Sequence, residues 1–203
     1  MAKIGINGLY WFEMDVETDQ ENAAQAPTYK EPIKLAKAIQ LTLTPQLAEG
    51  NLYADDSIDE TETAVTSYDV SLNINDLLPD KEALLLGRQK DSLGGVKATT
   101  EDSAPYGALA FRMPRSKGVG GGYQYRILYK TRFQPFTEDA QTKGESINYQ
   151  TPTLTGKSIS RDYDGLFNYK LDDDGKKTDV TEVTKKWFEE VTEPAAINTI
   201  PEG

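Results

Sequence analysis

Large apolar residues recur at every second position along this chain, a spacing that belongs to half-buried β-strands and not to helices. Tyr68, Val70, Leu72 and Ile74 share one face, as do Tyr123, Tyr125, Ile127 and Tyr129, with Phe133 continuing the second set. Ile39, Leu41 and Leu43 form a third set, and Leu109, Phe111 and Met113 a fourth. Ile147 and Tyr149 begin a fifth, inside a long strand-like stretch from Gln141 to Gly156. Near the start, Ile4 to Met14 reads as another strand, with aromatics at Tyr10, Trp11 and Phe12. The expectation is a mainly β fold of antiparallel strands with one or two helices.

Two segments carry helical signals. Pro79 to Leu86 has proline and acids in its first turn, and Gly87 stands where a C-terminal cap is favoured. The stretch from Thr181 to Val191 puts Val183, Trp187 and Val191 on one stripe with Phe188 beside it, and Pro194 follows as a stop. Both are expected to pack against a sheet.

With 203 residues, one domain over 1–203 is the default. Apolar content is low at 37%, which points to surfaces that complete their contacts only in an assembly. Three polar connections interrupt the strands. Residues 15–32 are rich in Glu, Gln, Asn and Ala and are expected to be mobile. Asp55 to Thr63 holds five acids and no base between strand-like flanks, so it reads as the tip of a long hairpin. Gly118 to Gly122 reads as a hairpin turn.

Cysteine and histidine are both absent, which removes disulfides, thiolate nucleophiles, the usual zinc ligands and the side chain best suited to proton transfer near pH 7. A carboxylate-only glycosidase stays open, yet no pair among the 33 acids stands out. A non-catalytic carbohydrate-binding β-sandwich also stays open, with Trp11, Tyr10 or Tyr163 stacking on sugars. Tyr123 occupies the place where a dinucleotide fingerprint would need its third glycine. Asp162 to Gly165 and Asp172 to Gly175 faintly resemble calcium loops but lack the twelfth-position Glu, so turns are the reading preferred. A net charge of −11 argues against a surface that binds nucleic acid. The longest purely apolar run, Ala83 to Leu86, gives no reason to expect membrane insertion. No catalytic, cofactor-binding or metal-ligating residue is assigned.

Lys3-Ile4-Gly5-Ile6, Leu47 to Asp56, Leu84 to Gly87, Gln141 to Gly156, and Trp187-Phe188 ahead of Glu193-Pro194 together resemble, in order and spacing, the major tail proteins of long, non-contractile bacteriophages of Gram-positive hosts. That resemblance implies a tail tube fold of two packed β-sheets with a flanking helix, in a non-enzymatic virion protein made in the host cytoplasm. It implies hexameric rings stacked into a tube, a tape-measure protein inside, tail terminator and tip proteins at the ends, and DNA passing without specific binding. A tube of a bacterial secretion or injection machine would share these features. The resemblance places an inter-ring contact at Asp55, Asp56, Ser57, Ile58, Asp59, Glu60, Thr61 and Glu62, with a C-terminal arm over about 192–203. Acids such as Asp69 and Glu145 are candidates to line the channel, where they repel DNA within about 8 Å.

Overall fold

The computed structural model describes residues 4–54, 57–116, 118, 121–136 and 151–195. Ten strands and two α-helices follow in chain order: β1 (Asn7–Glu13), β2 (Ile33–Lys34), β3 (Ala38–Ala54), β4 (Ser57–Ile74), α1 (Pro79–Leu86), β5 (Gln89–Lys90), β6 (Val96–Lys97), β7 (Gly107–Pro114), β8 (Tyr123–Phe133), β9 (Thr153–Ile159), β10 (Asn168–Asp173) and α2 (Thr178–Lys185). Eight strands share one antiparallel sheet in the order β2-β1-β7-β8-β9-β4-β3, with β10 also paired to β8. Strands β5 and β6 make a separate small hairpin.

The sheet forks at β8. Residues Tyr123 to Leu128 pair with β10, whereas Lys130 to Phe133 pair with β9 and lead on to β4 and β3. An irregularity between the pairs Gly107–Thr131 and Leu109–Leu128 sets Tyr129 and Lys130 against the single residue Ala108. Such a bulge turns the strand and shifts its facing by one residue.

Each face of the sheet carries its own core. Leu9, Trp11, Val70, Leu72, Ile74, Leu109, Phe111, Leu128, Phe133 and Leu154 form one cluster with Leu85 and Leu86 of α1. Strands β1 and β4 both contribute although β7, β8 and β9 lie between them, so the sheet curls around this core. Phe12, Ala108, Ala110, Tyr125, Ile127, Tyr129 and Trp187 form the second cluster on the other face. Buried on both sides from Gly107 to Phe111, β7 has small residues where two layers meet.

The alternation predicts facing correctly between bulges and fails across them. Phe133 belongs to the first cluster and Tyr125, Ile127 and Tyr129 to the second, because the β8 bulge reverses the parity. Ile39 is the extra residue between the pairs Ala38–Ile74 and Gln40–Asn73, and it stands 54% exposed instead of sharing a face with Leu41 and Leu43. Helix α1 has the expected bounds, and Gly87 closes it in the left-handed conformation at φ 65°, its N–H donating to the Ala83 carbonyl. Helix α2 differs from the expected 181–191 stripe. It begins at Thr178 and ends at Lys185, leaving Val183 exposed, while Trp187 is buried from the turns that follow. The strand expected over 141–156 is described only from residue 151, with β9 starting at Thr153, so Ile147 and Tyr149 lie outside the described residues.

Gly107 is the tightest point where the layers meet, since a Cβ there would sit 2.4 Å from the Trp11 ring and 2.5 Å from the Phe12 carbonyl oxygen. Gly107→Ala is therefore expected to cost about 1–3 kcal/mol. A thermal melt followed by circular dichroism should show a Tm lower by several degrees, and an unchanged Tm would mean that both the indole and the Phe12 backbone shift freely.

Candidate assembly interface

Strand β3 is the last in its sheet and runs seventeen residues with no partner on its outer side among the described residues. A long unpaired edge presents a row of backbone donors and acceptors to any extended segment that approaches it. From Gln40 to Gln46 the strand pairs regularly with Ser67 to Asn73, and β9 backs β4 from Tyr68 to Asn73. Leu41, Leu43, Val70, Leu72 and Leu154 turn inward from this stretch to the first core.

The opposite face of the same three strands is uncovered and polar. Registered rows run Gln40–Asn73–Thr153, Thr42–Ser71–Thr155 and Thr44–Asp69–Lys157, and Arg132 of β8 extends the last row. A shallow groove here is lined by Thr42, Thr44, Ser71, Gln134 and Thr155 with Asp69 and Lys157. Asp69 is placed on this face. Its carboxylate accepts from Gln46 Nε2 at 2.6 Å and lies 3.9 Å from Lys157 Nζ, so hydroxyls and amides dominate and the acid is balanced. Glu145 lies outside the described residues.

Past Gln46 the hairpin continues as a two-stranded ribbon without a third strand among the described residues. Thr66 is an extra residue between the pairs Gln46–Ser67 and Leu47–Val65, and its hydroxyl donates to the Gln46 carbonyl at 3.1 Å. Both Leu47 and Val65 are exposed, at 51% and 39%. Pairing carries on to Ala54–Ser57, so Ser57 to Thr63 belong to strand β4 and not to a loop. The alternating threonines at 61 and 63 suit a strand that is wet on both faces. Asp55 and Asp56 lie outside the described residues, and only the backbone of Ser57, Ile58, Asp59 and Glu60 is described. Residues 38–79 hold eight carboxylates and no Lys or Arg.

Two buried ionic networks fix the segments beside the sheet. Lys130 Nζ donates to Asp19 Oδ2 at 2.7 Å and to Asp162 Oδ2 at 2.9 Å, and Asp19 Oδ1 also accepts from the Tyr163 N–H at 3.0 Å. Segment 15–32 is thereby tied to β8 and to the turn before β10. Arg161, fully buried, donates from Nη1 and Nη2 to the two oxygens of Glu193 at 2.7 and 2.8 Å. Its guanidinium lies 4.0 Å from the centre of the Tyr129 ring and also pairs with Asp164. Tyr129 donates its hydroxyl to the Thr192 carbonyl at 2.8 Å. The base of the C-terminal arm is thus held by side chains; of that arm, residues 192–195 are described.

Sequence reasoning missed this quartet of Asp19, Lys130, Arg161 and Glu193. The available signal was Lys130 itself, a base inside a strand whose neighbours Tyr129 and Thr131 are fully buried. The two Asp-Gly segments are turns, as expected: Asp164 accepts from the Leu166 N–H and Asp173 from the Gly175 N–H. Their acids are engaged internally, Asp162 with Lys130, Asp164 with Arg161, and Asp173 with Thr181 and Thr184. Trp11 is completely buried, so its ring is closed to a sugar, and Tyr10 is half-buried with one face stacked on Phe188.

Fold and edge together define a β-rich module in which the seventeen-residue strand β3 has no outer partner among the described residues. Residues 39–196 match the family described as phage tail tube protein, and the chain belongs to that family. No curated protein matches it. Membership makes this a structural protein of the virion tail tube.

The Asp19 carboxyl sits below its ordinary value of 3.8: burial pushes it up, but the Lys130 ammonium and the Tyr163 N–H outweigh that. A depressed carboxyl contributes stability above its unfolded pKa and loses that contribution as pH falls through the folded value. Asp19→Ala is therefore expected to cost about 3 kcal/mol near neutral pH, because Lys130 is left with the exposed Asp162 as its remaining partner. In urea melts, the gap between variant and wild type should narrow below pH 3.8; a gap that stays constant with pH would show that the ion pair contributes nothing.

Proposed function

We propose that copies of this chain close into hexameric rings through the β3 edge and that stacked rings form a tube through which DNA is delivered to the host. The observation that carries this reading is the open seventeen-residue edge of β3 in a member of the tail tube family. A ring closed by strand pairing turns one face of β3, β4 and β9 toward its axis. The apolar face is covered by the rest of the subunit, including α1, so only the polar face can line a channel. Asp69 then faces the channel in company with Lys157 and Arg132, and the lining is hydroxyl- and amide-rich, with Lys157 paired to Asp69 and the Arg132 guanidinium stacked over the Tyr106 ring. Such a surface gives passing phosphates few free cations to hold.

The ribbon reaches the adjoining ring in this reading, with the residues from Asp55 to Glu62 at its end. A tape-measure protein inside the tube, with terminator and tip proteins at its ends, completes the set of partners.

Negative-stain electron microscopy of the purified protein is expected to show rings or tubes, and a monomer at all concentrations would overturn the proposal. Deleting residues 56–62 removes the partners of the ribbon's outer half and leaves the regular Gln40–Gln46 pairing intact. The variant should stay folded and soluble but form no long tubes; tubes of ordinary length would show that the ribbon is not the contact between rings.

A further inference from the structure

Three independent features of the β3–β4 hairpin change at the same place. From Gln40 to Pro45, β3 is regular and β4 is backed by β9, whose last registered partner on β4 is Tyr68, itself opposite Pro45. One residue further, the Thr66 bulge interrupts the ladder. Beyond it, every described side chain from Gln46 to Asn51 and from Thr61 to Thr66 is exposed. Proline sits within a ladder only where its missing N–H points away from the paired strand. Since β4 is the sole described partner of β3, that gap falls on the free edge. The outward N–H groups in phase with position 45 are those of Leu41 and Leu43 before it, and of Leu47 and Glu49 after it.

We propose that Pro45 and the adjacent bulge end strand pairing with a second copy of this chain, so that the edge from Gln40 to Thr44 joins neighbouring subunits while the ribbon beyond is barred from edge pairing. This rests on the tube reading and specifies which part of the edge serves it. Proline and bulges are the two devices that blunt sheet edges, the first by removing a donor and the second by twisting the edge away. Here they stand side by side near the middle of a seventeen-residue edge whose other irregularities lie near its ends, between Ala38 and Gln40 and between Leu52 and Tyr53. Without them, an incoming strand could zip along the whole of β3 and fix the ribbon in the plane of the sheet. With them, the ribbon turns off the sheet and makes contacts through its side chains, among them the exposed Leu47–Val65 pair.

Residue-resolved hydrogen exchange on the free subunit and on the assembled protein tests the boundary. On assembly the Leu41 and Leu43 amides are expected to slow by at least about 100-fold, and those of Leu47 and Glu49 by less than about 10-fold. Pro45→Thr should restore the missing donor and extend the strong protection to Leu47 and Glu49. Equal slowing on both sides of Pro45 in the wild type overturns the inference, as does a boundary that Pro45→Thr leaves in place. If that variant does not fold, the wild-type pattern alone decides. Absence of any assembly by electron microscopy overturns the tube reading itself, whereas assembly with uniform protection overturns only the stop at Pro45.

Discussion

One extra residue in the ladder between β7 and β8 determines most of what surrounds it. Where Tyr129 and Lys130 oppose Ala108 alone, the strand changes both its partner and its facing. Below the bulge, β8 pairs with β10 and points Tyr125 and Ile127 to the second core. Above it, the strand pairs with β9 and points Phe133 to the first. The two bulged residues are also those from which the ionic networks start. Lys130 holds Asp19 and Asp162, and Tyr129 supports the Arg161 guanidinium while binding Thr192. A bulge that re-aims two side chains therefore ties segment 15–32, the turn before β10 and the base of the C-terminal arm to one point.

The fork explains why the hairpin is open on one side. Because the lower half of β8 is taken by β10, the β9–β4–β3 branch separates from the rest of the sheet and, among the described residues, ends on β3. Its inner face is covered by the curl of the sheet and by α1, and its outer face remains wet. The wet face could have been charged, as expected from a chain of net −11, but the registered rows show threonine, serine, asparagine and glutamine with a balanced Asp69–Lys157 pair. The negative charge is concentrated further out, on the ribbon.

Period-two alternation made the strands legible, and proline and glycine marked the ends of α1 to the residue. What could not be read were the bulges. Each adds one residue and reverses facing for everything after it, and no residue type announces it: Ile39 looks like its neighbours Leu41 and Leu43, and Tyr129 like Tyr125. The ribbon was misread for a related reason. Five acids within Asp55 to Thr63 look like a loop because strands usually bury one face, yet a strand with two wet faces has no need of apolar residues. The second helix failed through its stripe, since Val183, Trp187 and Val191 fit a helical period although the chain leaves the helix after Lys185. The hairpin was legible although its strands run further than expected, whereas the burial of Lys130 was marked only by its place inside a strand and that of Arg161 by nothing. Each of them finds its carboxylates on segments distant in the chain.

Low apolar content and a stable body are reconciled by how the polar groups are used. Inside the subunit the buried Lys130 and Arg161 are paired with carboxylates at hydrogen-bond distance, which offsets the cost of removing them from water and fixes segments that have few apolar side chains of their own. On the β3 edge the polar groups are backbone N–H and C=O, and each hydrogen bond gained on pairing is worth only about 0.5–1.5 kcal/mol net. The few that the stretch before Pro45 offers make a weak contact between two free copies. In a closed ring every copy makes that contact twice, and the last junction forms without loss of further translational freedom. A short edge therefore disfavours stray pairs of subunits while still sustaining a closed ring, and a longer edge would have stabilised both.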